Sequence, residues 1–152
     1  IKKWKPIVIL SARWSYWHGL NLENTVKQIT SNEGEIILIQ QPPELFFGDI
    51  NAPQRISNMG ILPKQSKCSF IPIGNESQHS RGAEKVRNLS KKFENCSHIE
   101  IADLFLNEEN KAKVLLGKKV LYIDDDHLSL DGAFLAKERL LSLILNSLNR
   151  QH

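Results

Sequence analysis

The chain has 152 residues, 41% of them apolar and 24% charged, with a formal net charge of +3. That length suits a single domain over residues 1–152 with a sizeable core, and the composition is ordinary for a globular protein. The mild charge, with no basic run interleaved with aromatics, argues against a nucleic-acid partner, and no run of about 18 apolar residues offers a membrane-spanning helix.

In chain order, Ile7–Leu10 is a β-branched and apolar run after Pro6, which predicts a buried parallel strand. Residues 21–30 predict a helix, with Leu22, Val26 and Ile29 on one face and Gly34 as its stop. Residues 35–40 form a second strand, ended by Gln41-Pro42-Pro43, so the unit predicts a right-handed parallel crossover. Residues 41–80 hold five of the six prolines and are expected to be irregular, with Phe46, Phe47, Ile50, Ile61 and Leu62 partly packed. A helix follows over about 82–93, carrying Val86, Leu89 and Phe93. A strand is expected at 98–101, a short helix with a loop over 103–117, and a further strand at 119–123. The longest helix is expected at 129–148, capped by Ser129 and striped by Phe134, Leu141, Leu145 and Leu148. The pattern is α/β with a parallel sheet, a class whose sites lie at the carboxyl ends of strands.

Cys68 and Cys96 are too few for a disulfide scaffold. They form either one bridge closing a loop of about 28 residues, worth about 3 kcal/mol, or two buried thiols. The five histidines have no ligand-like spacing, so neither a metal nor a cofactor is expected. The chain opens with Ile1 and not with Met, which suggests a fragment or a processed product.

One stretch carries chemistry. Asp124-Asp125-Asp126-His127-Leu128-Ser129 follows the apolar run Val120-Leu121-Tyr122-Ile123. At this spacing Asp124 can fold back onto one ring nitrogen of His127, which leaves the other as a base toward a nucleophile held elsewhere. An acidic turn capping a helix would have the same pattern.

The stretch from Tyr122 to Ala133 resembles the last conserved block of SGNH (GDSL-like) hydrolases, most closely the C-terminal SGNH domain of membrane acyltransferase-3 proteins. Pro6–Trp14, containing Ser11-Ala12-Arg13-Trp14, is similar to the strand and turn of the same subfamily, and the two blocks come in its order. The resemblance implies a flavodoxin-like three-layer fold with a parallel sheet, lacking its first strand or strands. It implies acyl transfer by a Ser-His-Asp mechanism, with His127 and Asp124 catalytic and the serine in a Gly-Asp-Ser block upstream of Ile1, since no Gly-Asp-Ser occurs here. The isolated chain is therefore expected to be inactive. Arg13 falls where the family carries an oxyanion-donating Asn, and a guanidinium fork suits an oxyanion or a sugar carboxylate. Equally, the same residue suits a stem packed under Trp14 or Trp17 with its head paired to a carboxylate. Trp14, Tyr16, Trp17 and His18 suit a sugar ring or cover over the sheet. Ser11, Ser15 and Ser129 read as turn or cap residues, and Ser77 has no strand before it.

By resemblance the partners are a polysaccharide acceptor, an acyl donor and an N-terminal integral-membrane acyltransferase domain. The location is extracytoplasmic, which permits the disulfide. A carbohydrate esterase of the same type and a non-catalytic module binding glycan or a partner are the alternatives.

Overall fold

The computed structural model describes residues 5–14, 21–48, 51–63, 67–74 and 76–150. The elements are β1 (Ile7–Ser11), α1 (Leu22–Ser31), β2 (Glu35–Ile39), α2 (Ala52–Asn58), β3 (Cys68–Pro72), α3 (Glu76–Lys92), β4 (Cys96–Ile99), α4 (Ala102–Phe105), β5 (Lys111–Leu116), β6 (Lys119–Val120) and α5 (Leu130–Arg150). The described residues group into two compact units. One takes those up to Gln41, Ser80–Glu100 and those from Glu138 onward; the other takes Pro42–His79 and Ile101–Lys137.

The first unit is built on the expected parallel strands. β2 lies between β1 and β4, with Val8 opposite Ile36, Leu10 opposite Leu38, and Ile36 opposite Cys96. Alternation along the strands sends Val8, Leu10, Ile36, Leu38 and Cys96 to one face, where they join Leu22 and Val26 of α1 and Val86 and Leu89 of α3. Ile36, Ile37 and Leu38 are each 1% exposed or less, and burying each such side chain contributes about 1.5–3 kcal/mol. Asn21 caps α1 by accepting from the backbone N–H of Asn24 at 3.0 Å. Gly34 is needed after α1 for a different reason from a left-handed turn. The left-handed residue is Glu33, at φ 62°. A Cβ on Gly34 would lie 2.8 Å from Ile29 Cγ2 and 3.0 Å from Ile29 O.

The second unit departs from the sequence expectations in three places. Residues 41–80 hold a helix and a strand. Proline density was the misleading signal: Pro53 sits in the first turn of α2, where a missing N–H costs nothing, behind an Asn51 cap that accepts from Gln54 N at 2.9 Å. Residues 111–116 are a strand, whose alternation of Lys111, Ala112, Lys113 and Val114 puts Ala112 and Val114 fully inside. The expected parallel strand at 119–123 is instead the short β6, antiparallel to β5 across the Gly117-Lys118 turn with Gly117 at φ 62°. The resulting sheet is antiparallel in the order β3-β5-β6.

Beyond β6 the chain is pinned by its backbone. Leu121 N donates to Val114 O (2.9 Å), Ala52 N to Ile123 O (2.8 Å), Leu45 N to Asp125 O (2.7 Å), and Ser129 N to Leu121 O (3.0 Å). Tyr122 is fully buried, donates its hydroxyl to Pro43 O at 3.1 Å and meets Phe105 edge-on. Ser129 caps α5 as expected: its Oγ accepts from Gly132 N at 3.1 Å and donates to Val120 O at 2.6 Å.

The stripe expected to bury α5 does not. Phe134, Leu141, Leu145 and Leu148 are 41–57% exposed, whereas Gly132 and Ser147 are buried. Leu135, Leu140, Leu143 and Ile144 make the helix apolar on several faces, so periodicity alone does not choose one. Of the alternatives for the cysteines, the bridge is not formed. Both are free, Cys68 exposed and Cys96 buried, with burial pushing the Cys96 thiol up to about 11.

Gly132 supplies a test of how α5 is seated. A Cβ there would lie 2.1 Å from Leu121 O, a fixed backbone atom. Gly132→Ala is expected to destabilise the fold by about 3 kcal/mol or more in urea unfolding, through overpacking. A stability within error of the parent would show that the start of α5 is free to move.

Candidate active site

The residues from Ile123 to Leu128 form a tight loop closed by Ile123 N donating to His127 O at 2.8 Å. Asp124 organises it. Its Oδ1 accepts from the backbone N–H of Asp126 at 3.1 Å and of His127 at 2.8 Å. The same carboxylate faces the ring, with Nδ1 3.0 Å from both oxygens. A carboxylate can only accept, so Nδ1 of the neutral ring carries the proton and Nε2 the lone pair. The His127 side chain is 73% exposed and that of Asp124 28%. The short-range fold-back at this spacing therefore exists, and it presents a base to solvent on a half-buried support.

Asp125 and Asp126 expose little of their side chains despite their acidity. Asp125 is 2% exposed, and the Asp126 side chain is 6% exposed, with Oδ1 2.9 Å from Nδ1 of His127 as a charge contact outside hydrogen-bond alignment. The cause is the pinned backbone: once Asp125 O is held by Leu45 N, the loop turns these carboxylates inward. One donor atom each from Asp124, Asp126 and His127 lie within 4.8 Å of one another, which sequence spacing did not suggest. Two carboxylates and an imidazole are donor types for a divalent cation, but Nδ1 already faces Asp124, so a cation taking that nitrogen would displace its proton.

The electrostatics follow from these contacts. The hydrogen bond to Asp124 and the charge of Asp126 raise the His127 pKa above its ordinary 6.5, against a smaller opposing effect of burial. For Asp124, burial pushes the pKa up, but the two backbone N–H groups and the His127 ring together outweigh it and bring the carboxyl below its ordinary 3.8.

Arg13 and Trp14 stand in the first unit, just past β1. Arg13 is half-buried. Trp14 is 3% exposed, donates its indole N–H to Ile39 O at 2.7 Å and belongs to the core. That burial supports cover over the sheet in place of a stacking surface for sugar. Ser15, Tyr16, Trp17 and His18 lie outside the described residues, and Ser77 falls at the start of α3.

A second histidine cluster was not anticipated. Ser90 Oγ lies 2.7 Å from His98 Nδ1, and His98 Nε2 lies 3.4 Å from Glu100 Oε1, which also accepts from Arg87 Nε at 2.9 Å. The signal in the sequence was the same-face spacing of His98 and Glu100 at a strand end. Its chemistry is structural. Ser90 sits inside α3 and donates its hydroxyl proton to Arg87 O at 2.9 Å, so the hydroxyl is spent on the helix. The Arg87 hydrogen bond, ahead of burial's opposing effect, lowers the pKa of Glu100.

Comparison with known proteins adds context to this geometry. The model of the family described as the SGNH domain fused to AT3 domains matches residues 2–142. No curated protein matches. Among solved structures, the periplasmic domain of the lipopolysaccharide acetyltransferase of Salmonella ser. Paratyphi A is similar, at 20% identity and a TM-score of 0.64. The match covers 91% of this chain and 56% of that one. At that identity the likeness is one of fold, and the chain spans little more than half the length of its neighbour.

The two pKa shifts set a pH window for the pair. The share of His127 is complete below 6.5 and lost as pH rises through its higher folded value. The share of Asp124 is complete above 3.8 and lost as pH falls through its lower folded value. The pair contributes most between these limits, and modestly, because the ring is exposed. In Asp124→Asn the His127 pKa should fall toward 6.5, read from ring-proton shifts in an NMR titration. A titration unchanged by that substitution would show that Asp124 does not hold the imidazole.

Proposed function

The chain belongs to the family of SGNH domains fused to AT3 domains, and we propose that it serves O-acyl transfer, of an acetyl group, to a bacterial surface polysaccharide. The observation that carries this reading is the Asp124–His127 contact, 3.0 Å from carboxylate to Nδ1, which leaves Nε2 to act as base. The family description and the lipopolysaccharide acetyltransferase neighbour support the substrate class. We place the domain outside the cytoplasm, tethered to a membrane acyltransferase domain. No helix among the described residues is long and apolar enough to cross a membrane.

In this reading a serine outside the chain is the nucleophile. Its Oγ attacks the acyl carbonyl of the donor while His127 Nε2 takes its proton. The donor's leaving group departs with that proton, and an acyl-serine remains. A sugar hydroxyl then attacks the acyl carbon, gives its proton to Nε2, and the proton passes back to the serine as the ester is released. Asp124 holds the ring in the required tautomer and stabilises the imidazolium formed at each step. Arg13 supplies donors to the oxyanion in place of the family's Asn. The 73% exposure of the His127 side chain leaves Nε2 open to water, which keeps a carbohydrate esterase with the same residues as the second reading.

Two experiments test the assignment. The 152-residue chain should hydrolyse p-nitrophenyl acetate no faster than background; turnover abolished by Ser→Ala at one of its own serines would overturn the external nucleophile. In a form carrying the serine block, Arg13→Ala should reduce acyl transfer about 10²–10³-fold, and His127→Ala at least as much, with unchanged circular dichroism. A folded Arg13→Ala protein with full activity would remove Arg13 from the mechanism.

A further inference from the structure

The His127 ring has a second carboxylate against it. Oδ1 of Asp126 lies 2.9 Å from the same Nδ1 that faces both oxygens of Asp124 at 3.0 Å. The two contacts differ in kind. A neutral imidazole carries a single N–H, which aligns with one acceptor. Asp124 takes that hydrogen bond, and Asp126 stands outside its alignment. They differ also in exposure: the Asp126 side chain is 6% exposed and that of Asp124 28%.

The backbone on both sides of Asp126 is tied. Its own N–H donates to Asp124 Oδ1 at 3.1 Å, and the next N–H, of His127, donates to the same atom at 2.8 Å. The carbonyl before it, of Asp125, accepts from Leu45 N at 2.7 Å. The carboxylate is thus held beside the ring and largely withdrawn from water.

A contact of this kind gains little from a neutral ring. Once Nε2 takes a proton, the ring carries a positive charge shared between its two nitrogens. A shielded carboxylate at contact distance then acts on that charge with reduced screening by solvent and salt. Asp126 therefore favours the charged ring over the neutral one and leaves the hydrogen bond that orients the ring to Asp124. The direction of the His127 pKa agrees, since the charge of Asp126 raises it most after the hydrogen bond to Asp124. Among the described residues the charged groups acting on the ring are Asp124, Asp126 and, less strongly, Asp125, all of its own loop.

We propose that Asp126 is a second positioning residue for the acyl-transfer base: Asp124 fixes the Nδ1–H tautomer, and Asp126 supports the imidazolium that forms when Nε2 takes a proton. This role rests on the reading of His127 as that base, whereas the support of its charge is measurable without any acyl transfer.

In the 152-residue chain, Asp126→Asn should shift the His127 ring titration to lower pH. The ring at high pH should stay protonated on Nδ1, read from long-range proton–nitrogen spectra. A titration that stays in place would overturn the proposal. So would loss of the Nδ1–H tautomer, which would give Asp126 the task assigned to Asp124. If Asp126→Asn does not fold, the unsubstituted chain decides. The Asp126 carboxyl carbon resonance should move in step with the His127 titration, and that step should vanish in His127→Gln; a carbon without the step would overturn the proposal. In a form carrying the serine block, Asp126→Asn should move the acidic limb of the acyl-transfer pH profile to lower pH, because less of the base is protonated there. A shifted ring titration beside an unmoved limb would overturn His127 as the base, and with it the part of Asp126 in acyl transfer. An unmoved ring titration would overturn Asp126 alone.

Discussion

From Leu121 to Asp125 the odd-numbered residues are each tied by their backbone to a different stretch of the second unit: Leu121 to Val114 and Ser129, Ile123 to Ala52 and His127, Asp125 to Leu45. Buried peptide groups must find partners, so this segment cannot slide without orphaning several at once. Tyr122 adds a buried hydroxyl bonded to Pro43 O. Asp124 consequently emerges at one place and in one orientation. Its two accepted backbone bonds then fix the loop that carries His127. The position of the imidazole depends on local bonds of high density, the kind of support that a precise site requires.

Three consecutive carboxylates beside one imidazole have a chemical consequence. They stabilise the protonated ring, which raises the basicity of His127. The same effect reduces the neutral fraction available at a given pH. Enzymes that use a histidine base balance these opposing demands through the charge around the ring. Here the balance is set by Asp124 and Asp126 together, with Asp125 a more distant contributor.

The cluster of Ser90, His98 and Glu100 shows how little residue identity decides. It contains the groups of a relay at hydrogen-bonding distances, yet its hydroxyl is committed to Arg87 O within α3. The Asp124–His127 pair contains no hydroxyl at all, but among the described residues it leaves a ring nitrogen directed at nothing structural. The fate of protons and lone pairs separates a brace from a base.

Much of this was legible in the sequence where the signal was local. The apolar runs at Ile7–Leu10 and Glu35–Ile39 signalled strands, although only the second is buried and Ile9 of the edge strand β1 is 42% exposed; the spacing of Leu22, Val26 and Ile29 signalled a helix, and Asp124 three residues before His127 could reach its ring within one turn. Tertiary structure decided the rest. Pro53 signalled a break yet opens α2, because a helix's first turn needs no N–H there. Residues 119–123 had strand composition, but their antiparallel partner β5 was hidden by alternating lysines. Phe134, Leu141, Leu145 and Leu148 formed a valid stripe on a helix apolar on several sides, and only packing could select the other face. Asp125 and Asp126 are acidic, yet the bond from Leu45 to Asp125 O holds the loop where their side chains are little exposed. Periodicity and spacing report what a segment can bury or reach, whereas which partner it meets depends on contacts between residues far apart in the chain.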